Sequence, residues 1–368
     1  MKKISAILAL VLCVCMLAGC AGTPVVYYTN CTCPVEAHQE VQVEAPAAPV
    51  TQTPVEEVPA VEGAVKTGLA VVTGLGKSVS ASAEGNGKAD YDVTIVAVTV
   101  DDNGVIQSCI IDGIAASVEF DAAGAIVTDL TKPVQTKNEL GPDYNMVAYG
   151  QAIAEWDVQA AALAAYAVGK TAEELRSGAI DATGYAPEGS DLATSATIYL
   201  AGYVSAIEKA VANAQHLGAQ SVDTLKYAVN IKNSSSAAAS ADGEGNAQLD
   251  VDVVVLTMNG DVITSCVLDS VQAKVGFDVS GVITSDLSAP VMTKNELGPA
   301  YNMVTYGQAI AEWNEQAASF AAYVTGKTPA EVASIAVNES TAPVDADLAA
   351  SVTIKIGGFQ GLIAKAAQ

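Results

Sequence analysis

Two short runs hold the residue types best suited to gripping an anion: Asp191-Leu192-Ala193-Thr194-Ser195-Ala196-Thr197 and Asp347-Leu348-Ala349-Ala350-Ser351-Val352-Thr353. Each lies just ahead of an apolar helical stretch. Small residues let backbone approach a phosphate closely, and a helix N-terminus offers free N–H groups and the positive end of its dipole. Asp191, Thr194, Ser195, Ala196 and Thr197, with Asp347, Ser351 and Thr353, are therefore the first candidates for cofactor contact. The same threonines would also serve simply as the entry to the last helix.

A second set sits on a stretch that occurs twice. TKNELGPDYNMVAYGQAIAEW, residues 136–156, returns as TKNELGPAYNMVTYGQAIAEW, residues 293–313, and differs only at Asp143 versus Ala300 and Ala148 versus Thr305. Lys137, Asn138, Glu139, Tyr144, Asn145 and Tyr149, with Lys294, Asn295, Glu296, Tyr301, Asn302 and Tyr306, place polar and aromatic groups on a loop that leads into a helix. Loops on a rigid scaffold are where binding residues concentrate. The rest of the two copies has diverged further, which favours a functional or a tight packing constraint on this stretch.

The elements that must position these residues follow from the duplication. At the same offset Cys109 falls on Cys266 and Lys170 on Lys327, so the repeating unit is a domain, far longer than solenoid periods. The spacing predicts a hairpin, Tyr91–Val100 and Val105–Ile111 around Asp102-Asn103-Gly104, with VDVVVLTM and VITSCVL as its copy. A further strand is expected over 125–130. From about Tyr149 the period becomes helical, with Ile153, Trp156, Ala160, Leu163 and Ala164 on one face as far as Val168, and Gly169 closing the helix. Thr171-Ala172-Glu173-Glu174 and Thr328-Pro329-Ala330-Glu331 are capping boxes. Closing helices are expected over 203–214 and 359–367. The fold class is α+β: two tandem repeats, each an antiparallel sheet with packed helices, at 64–216 and 217–368.

With the order of hairpin, helical middle, small-residue loop and Ala-rich closing helix in view, both repeats resemble the FMN-binding domain family. That family carries a D-x-x-S/T-G-A-T loop before a helix, and in its flavinylated members the last threonine bears FMN through a phosphoester. The resemblance implies FMN as cofactor, attached at Thr197 and Thr353, and a role as an electron carrier more than an enzyme. The chain departs from the pattern at Ser195 and Ser351, where the family has glycine, and at Val352 and Ala350. That departure leaves a second expectation open: a flavin-free surface protein that binds a small ligand or an envelope protein through the duplicated loops.

The N-terminus reads as an export signal, 1–19, with Lys2 and Lys3 before an apolar run too short to span a bilayer. Its Leu-Ala-Gly-Cys end resembles a bacterial lipobox, which makes Cys20 the lipidation site and the expected location the cell membrane, facing outside the cytoplasm. Residues 20–63 form an acidic, Pro-spaced tether. The chain holds 17 basic and 41 acidic residues, and loss of Lys2 and Lys3 takes the charge from −24 to −26. Such a charge repels nucleic acid, so the expected partners are the membrane, through the anchor, and a redox or envelope protein. The two histidines are His38 in the tether and His216 at the boundary between the repeats, so neither repeat holds a set for a triad or zinc site, and no metal is expected. Cys109 and Cys266 read as small buried apolar groups, while Cys31 and Cys33 sit too close for an easy mutual bridge.

Overall fold

The computed structural model describes residues 63–368, so the signal, Cys20 and nearly all of the tether lie outside the described residues. Repeat one runs β1 (Lys66–Gly74), β2 (Gly87–Val100), β3 (Ile106–Phe120), α1 (Lys137–Leu140), α2 (Met146–Gly150), α3 (Trp156–Ala167), α4 (Ala172–Ala179) and α5 (Ala201–Ala212). Repeat two follows the same order with β4 (Thr224–Lys232), β5 (Gly245–Asn259), β6 (Val262–Phe277), α6 (Lys294–Leu297), α7 (Met303–Gly307), α8 (Trp313–Val324), α9 (Pro329–Ala333), α10 (Ala346–Ala349) and α11 (Gly357–Ala366). Both sheets are three-stranded and antiparallel, ordered β1-β2-β3 and β4-β5-β6. No helix among the described residues is long and apolar enough to cross a membrane.

The sequence of β2 explains the layering. Ala89, Tyr91, Val93, Ile95 and Ala97 turn to one side, and Val96, Val98 and Val100 turn to the helices. The strand's second half is thus buried on both faces, which is why IVAVTV reads as continuous apolar sequence. A bulge at Thr99/Val100 shifts the register and brings Ile106 to the helical side together with Ile111. Trp156, Gln159, Ala160, Leu163, Ala164 and Ala167 give α3 a buried stripe at helical spacing that covers this side.

The other faces of the two sheets pack on each other. Each repeat buries one sheet face under its own helices and the other against its neighbour's sheet, so the two are joined by a core that belongs to neither instead of each closing its own. Phe120 and Phe277 stack at its centre, with ring centroids 4.0 Å apart and planes 2° from parallel. The contacts across this core are reciprocal: Ala81 N–H donates to Gly281 O and Ala239 N–H to Gly124 O, both at 2.8 Å. Lys209 pairs with Glu296, and Lys365 with Glu139. The repeats are therefore related by a pseudo-twofold.

Three expectations are corrected. The third strand of each sheet is β1 or β4, not 125–130. There Asp121 Oδ1 takes the N–H groups of Ala123 and Ala125 in a turn, and the chain touches β3 through one bridge at Ile126 before peeling away. β1 lacks a period-two signal because Gly68 must lie against α5, where a Cβ would come 2.1 Å from Ala210 O. The long helix begins at Trp156 and not at Tyr149. Gln151, at φ 51°, takes a left-handed conformation no helix interior accepts, and Ile153 is exposed. The front half of the duplicated stretch is not open loop but helical turns, with Thr136 and Glu139 forming a capping box and Gly141–Tyr144 a 3₁₀ turn. The capping boxes at Thr171/Glu174 and Thr328/Glu331 and the left-handed Gly169 are present.

Candidate functional site

The two candidate sets meet at the N-terminal end of α3, and of α8 in repeat two. Gln159, fully buried, is the joint. Its Oε1 accepts the Thr197 N–H at 2.8 Å and the Thr197 hydroxyl at 3.2 Å, and its Nε2 donates to Ala154 O at 2.8 Å. Gln316 repeats this with Thr353, at 2.7 and 3.0 Å, and with Ala311 O at 2.7 Å. The same glutamine thus fastens the small-residue loop to the end of the duplicated stretch. Both threonine side chains remain exposed.

The loops themselves differ from the expected entry into a helix. Leu192–Thr194 is a 3₁₀ turn, and α5 starts only at Ala201, four residues beyond Thr197. The N–H groups of Ala193 to Ala196 all bond within the turn, and Ser195 Oγ donates to Leu192 O. Thr194 Oγ1 donates to Asp191 O, and the Asp191 side chain is exposed. In repeat two the capping carboxylate is Asp345, which takes the N–H groups of Asp347 and Leu348, while Ser351 Oγ donates to Leu348 O. Ala196 and Val352 both point into the helix-side cores. The extra methyls of Val352 therefore fill core and leave the loop's outer surface unchanged.

In the duplicated stretch the polar half is structural. Asn138 Nδ2 donates to Ile111 O at 2.9 Å and to Tyr227 OH at 2.8 Å, and Tyr227 OH donates to Asp112 Oδ2 at 2.8 Å. Burial pushes the Asp112 carboxyl above its usual range. Asn295 holds Leu268 O and, by its N–H, Asp269, but no tyrosine reaches that site because Leu69 stands where repeat two has Tyr227. Burial pushes Asp269 up to about 6. Glu139 and Glu296 close capping boxes and make the inter-repeat ion pairs. Lys137 is buried, its ammonium 4.9 Å from the Trp156 ring and 5.4 Å from Tyr144, and desolvation lowers its pKa. Lys294 stands likewise over Tyr301 and Trp313. Trp156 Nε1 donates to Tyr203 OH at 3.1 Å, whereas Trp313 meets Phe359, so the tryptophans are core residues.

The apolar half is displayed. Glu155 carboxylate oxygens accept the N–H groups of Met146 and Val147 at 2.8 and 3.1 Å, and Glu312 does the same for Met303 and Val304. This clamp closes a protrusion flanked by left-handed Asn145 and Gln151, or Asn302 and Gln308. Tyr149 is 87 % and Tyr306 84 % exposed, beside exposed Val147, Ile153, Val304 and Ile310. The clamping glutamates, Gln159, Gln316 and Tyr227 were not singled out from sequence. A glutamine three residues after each tryptophan, on an otherwise apolar helical face, is the signal that marks the joint. Comparison of the chain with protein-family models, with curated proteins and with solved structures finds no match.

Proposed function

We propose that the chain is a lipid-anchored, envelope-facing flavin carrier whose repeats hold flavin mononucleotide at Thr197 and Thr353. One observation carries this reading: in both repeats an exposed threonine has its N–H and its hydroxyl held by one buried glutamine oxygen. Donating the hydroxyl proton inward turns the oxygen's lone pairs outward, the orientation needed to bond a phosphoryl group. Because the turn's own N–H groups are taken, the phosphate would be held by Oγ1 and not by a cradle of free backbone donors. Bound flavin would supply reversible electron transfer; the chain supplies position and exclusion of solvent.

Repeat one also offers an aromatic surface. Tyr185 and Tyr199 form an exposed edge-to-face pair with centroids 5.5 Å apart, close in sequence to Thr197. Repeat two has Ala342 and Lys355 in their places, so repeat one is the preferred site. Purification from a host that supplies a flavin transferase, followed by denaturation, tests the reading: flavin colour should stay with the chain, and a colourless protein with no flavin released would refute it.

The two clamped protrusions favour a second reading, a flavin-free surface protein that binds an envelope partner or small ligand. Their exposed Val, Tyr and Ile residues are identical in both copies although no packing requires it. Changing Tyr149 and Tyr306 to serine together should remove binding. Full retention of function in that variant, alongside its loss in Thr197→Ala, would exclude this reading.

A further inference from the structure

The two seams where one sheet meets the other are built alike and filled unlike. At the seam between β1 and β6, the segment that follows α5 runs along β1. Thr67 N–H donates to Gln215 O at 2.9 Å, Gln215 N–H to Thr67 O at 3.1 Å, and Val65 N–H to Ala219 O at 3.0 Å. On its other side Gly218 approaches β6 so closely that a Cβ would lie 2.5 Å from Thr264 O and 3.9 Å from Thr325 Cγ2. Glycine is required at that point both by space and by its φ of 112°.

Carried across the pseudo-twofold, Thr67 becomes Leu225, Thr264 becomes Gln107 and Thr325 becomes Val168. Leu225 stands opposite Thr257 as Thr67 stands opposite Thr99. Its N–H and C=O accordingly turn outward, and among the described residues neither has a partner beyond the sheet. Val222 is 80 % exposed beside it. Cys109 is partly exposed where Cys266 is buried. A groove of about 460 Å³ runs from Val168 along Cys109 and Ile111 of β3 and Ala161 and Ala165 of α3, with Asn138 and Asp157 as its polar members.

We propose that this second seam is a docking slot for an extended polypeptide supplied by another molecule. The incoming segment pairs with the outward edge at Leu225, passes Gln107 with a glycine, and lays a flanking apolar side chain into the alanine-lined groove. The occupant should resemble the segment that fills the matching seam, Gln215-His216-Leu217-Gly218-Ala219-Gln220, which carries no acid and whose His216 meets Asp102 at 2.8 Å. Asp157 lines the slot, which no described residue fills, and the chain's charge of −24 disfavours an acidic peptide. The slot also continues the interface already formed between the repeats at Asn138 and Tyr227.

The test uses a synthetic peptide with the sequence of residues 213–221, added to the intact mature protein, and the same nine residues fused after Gln368 so that weak affinity cannot hide docking. Amide hydrogen exchange at Cys109 and Leu225 should slow at least about tenfold with the fused segment, and in a saturable way with the free peptide. Replacing the segment's glycine by valine, or Ala165→Trp on the exposed side of α3, should abolish the protection. Unchanged exchange in the fusion, no saturable protection by millimolar free peptide, or protection that survives both changes, would overturn the proposal.

Discussion

Replacing Phe120 by alanine tests whether the two repeats stand or fall together. Phe120 is fully buried, its ring lies flat on Phe277, and both belong to the core that the two sheets share. Truncating a buried phenylalanine costs about 3–5 kcal/mol, and here the cavity would open between sheets held in place by reciprocal contacts that limit collapse. Taking about 4 kcal/mol, and an unfolding entropy near 2.1 cal/mol/K per residue over about 300 ordered residues, the Tm should fall by roughly 6 °C. The assay is differential scanning calorimetry. Because the lost ring supports both sheets, the intact protein should give one endotherm and Phe120→Ala one endotherm at lower temperature. Two endotherms of which only one moves would refute the shared core as the unit of cooperativity, and would mean that each repeat folds on its helix-side packing alone.

Three further outcomes follow from the site. Asp269 has a folded pKa of about 6 against an ordinary 3.8, so its contribution to stability is fully present below about pH 4 and is lost as pH rises through 6. Asp269→Asn keeps an acceptor for the Ser270 and Asn295 N–H groups, and should flatten the Tm profile between pH 4 and 7 and add roughly 1–3 kcal/mol at pH 7.5; an unchanged profile would contradict it. Gln159→Leu removes three hydrogen bonds and should cost about 2–3 kcal/mol by urea titration, with faster exchange at the Thr197 amide. Thr197→Ala should remove most covalent flavin and Thr353→Ala little, read by intact mass. The reverse pattern would reassign the site.

How much of this was legible in the sequence depends on whether the signal was local. Thr171-x-x-Glu174 and Gly169 announce themselves because a cap is satisfied by its own neighbours, and the β2–β3 hairpin because its Asp102-Asn103-Gly104 turn is local and the first half of β2 alternates. β1 was hidden because Gly68 is dictated by α5, some 140 residues on, and not by its own strand. The polar letters of the duplicated stretch looked like a binding loop because their partners are remote: Tyr227 for Asn138, Lys365 for Glu139 and Lys209 for Glu296. Only tertiary contacts separate the stretch's structural half from the displayed half that begins at Met146. The glutamine joint was missed for the converse reason, since a single polar residue on an apolar stripe gives no hint of which loop it holds.

The pseudo-twofold has a consequence for how the molecule can change. In a homodimer every substitution appears on both sides of the axis at once, so a mutation that improves one seam is imposed on the other. Here the two halves are covalently linked, their association does not depend on concentration, and each residue is inherited separately. Tyr227 reaches Asp112 at one seam while Leu69 takes its place at the other, and one seam is filled by the chain's own segment while no described residue fills its twin. Joining the copies end to end therefore frees one half to specialise while the other keeps the scaffold folded.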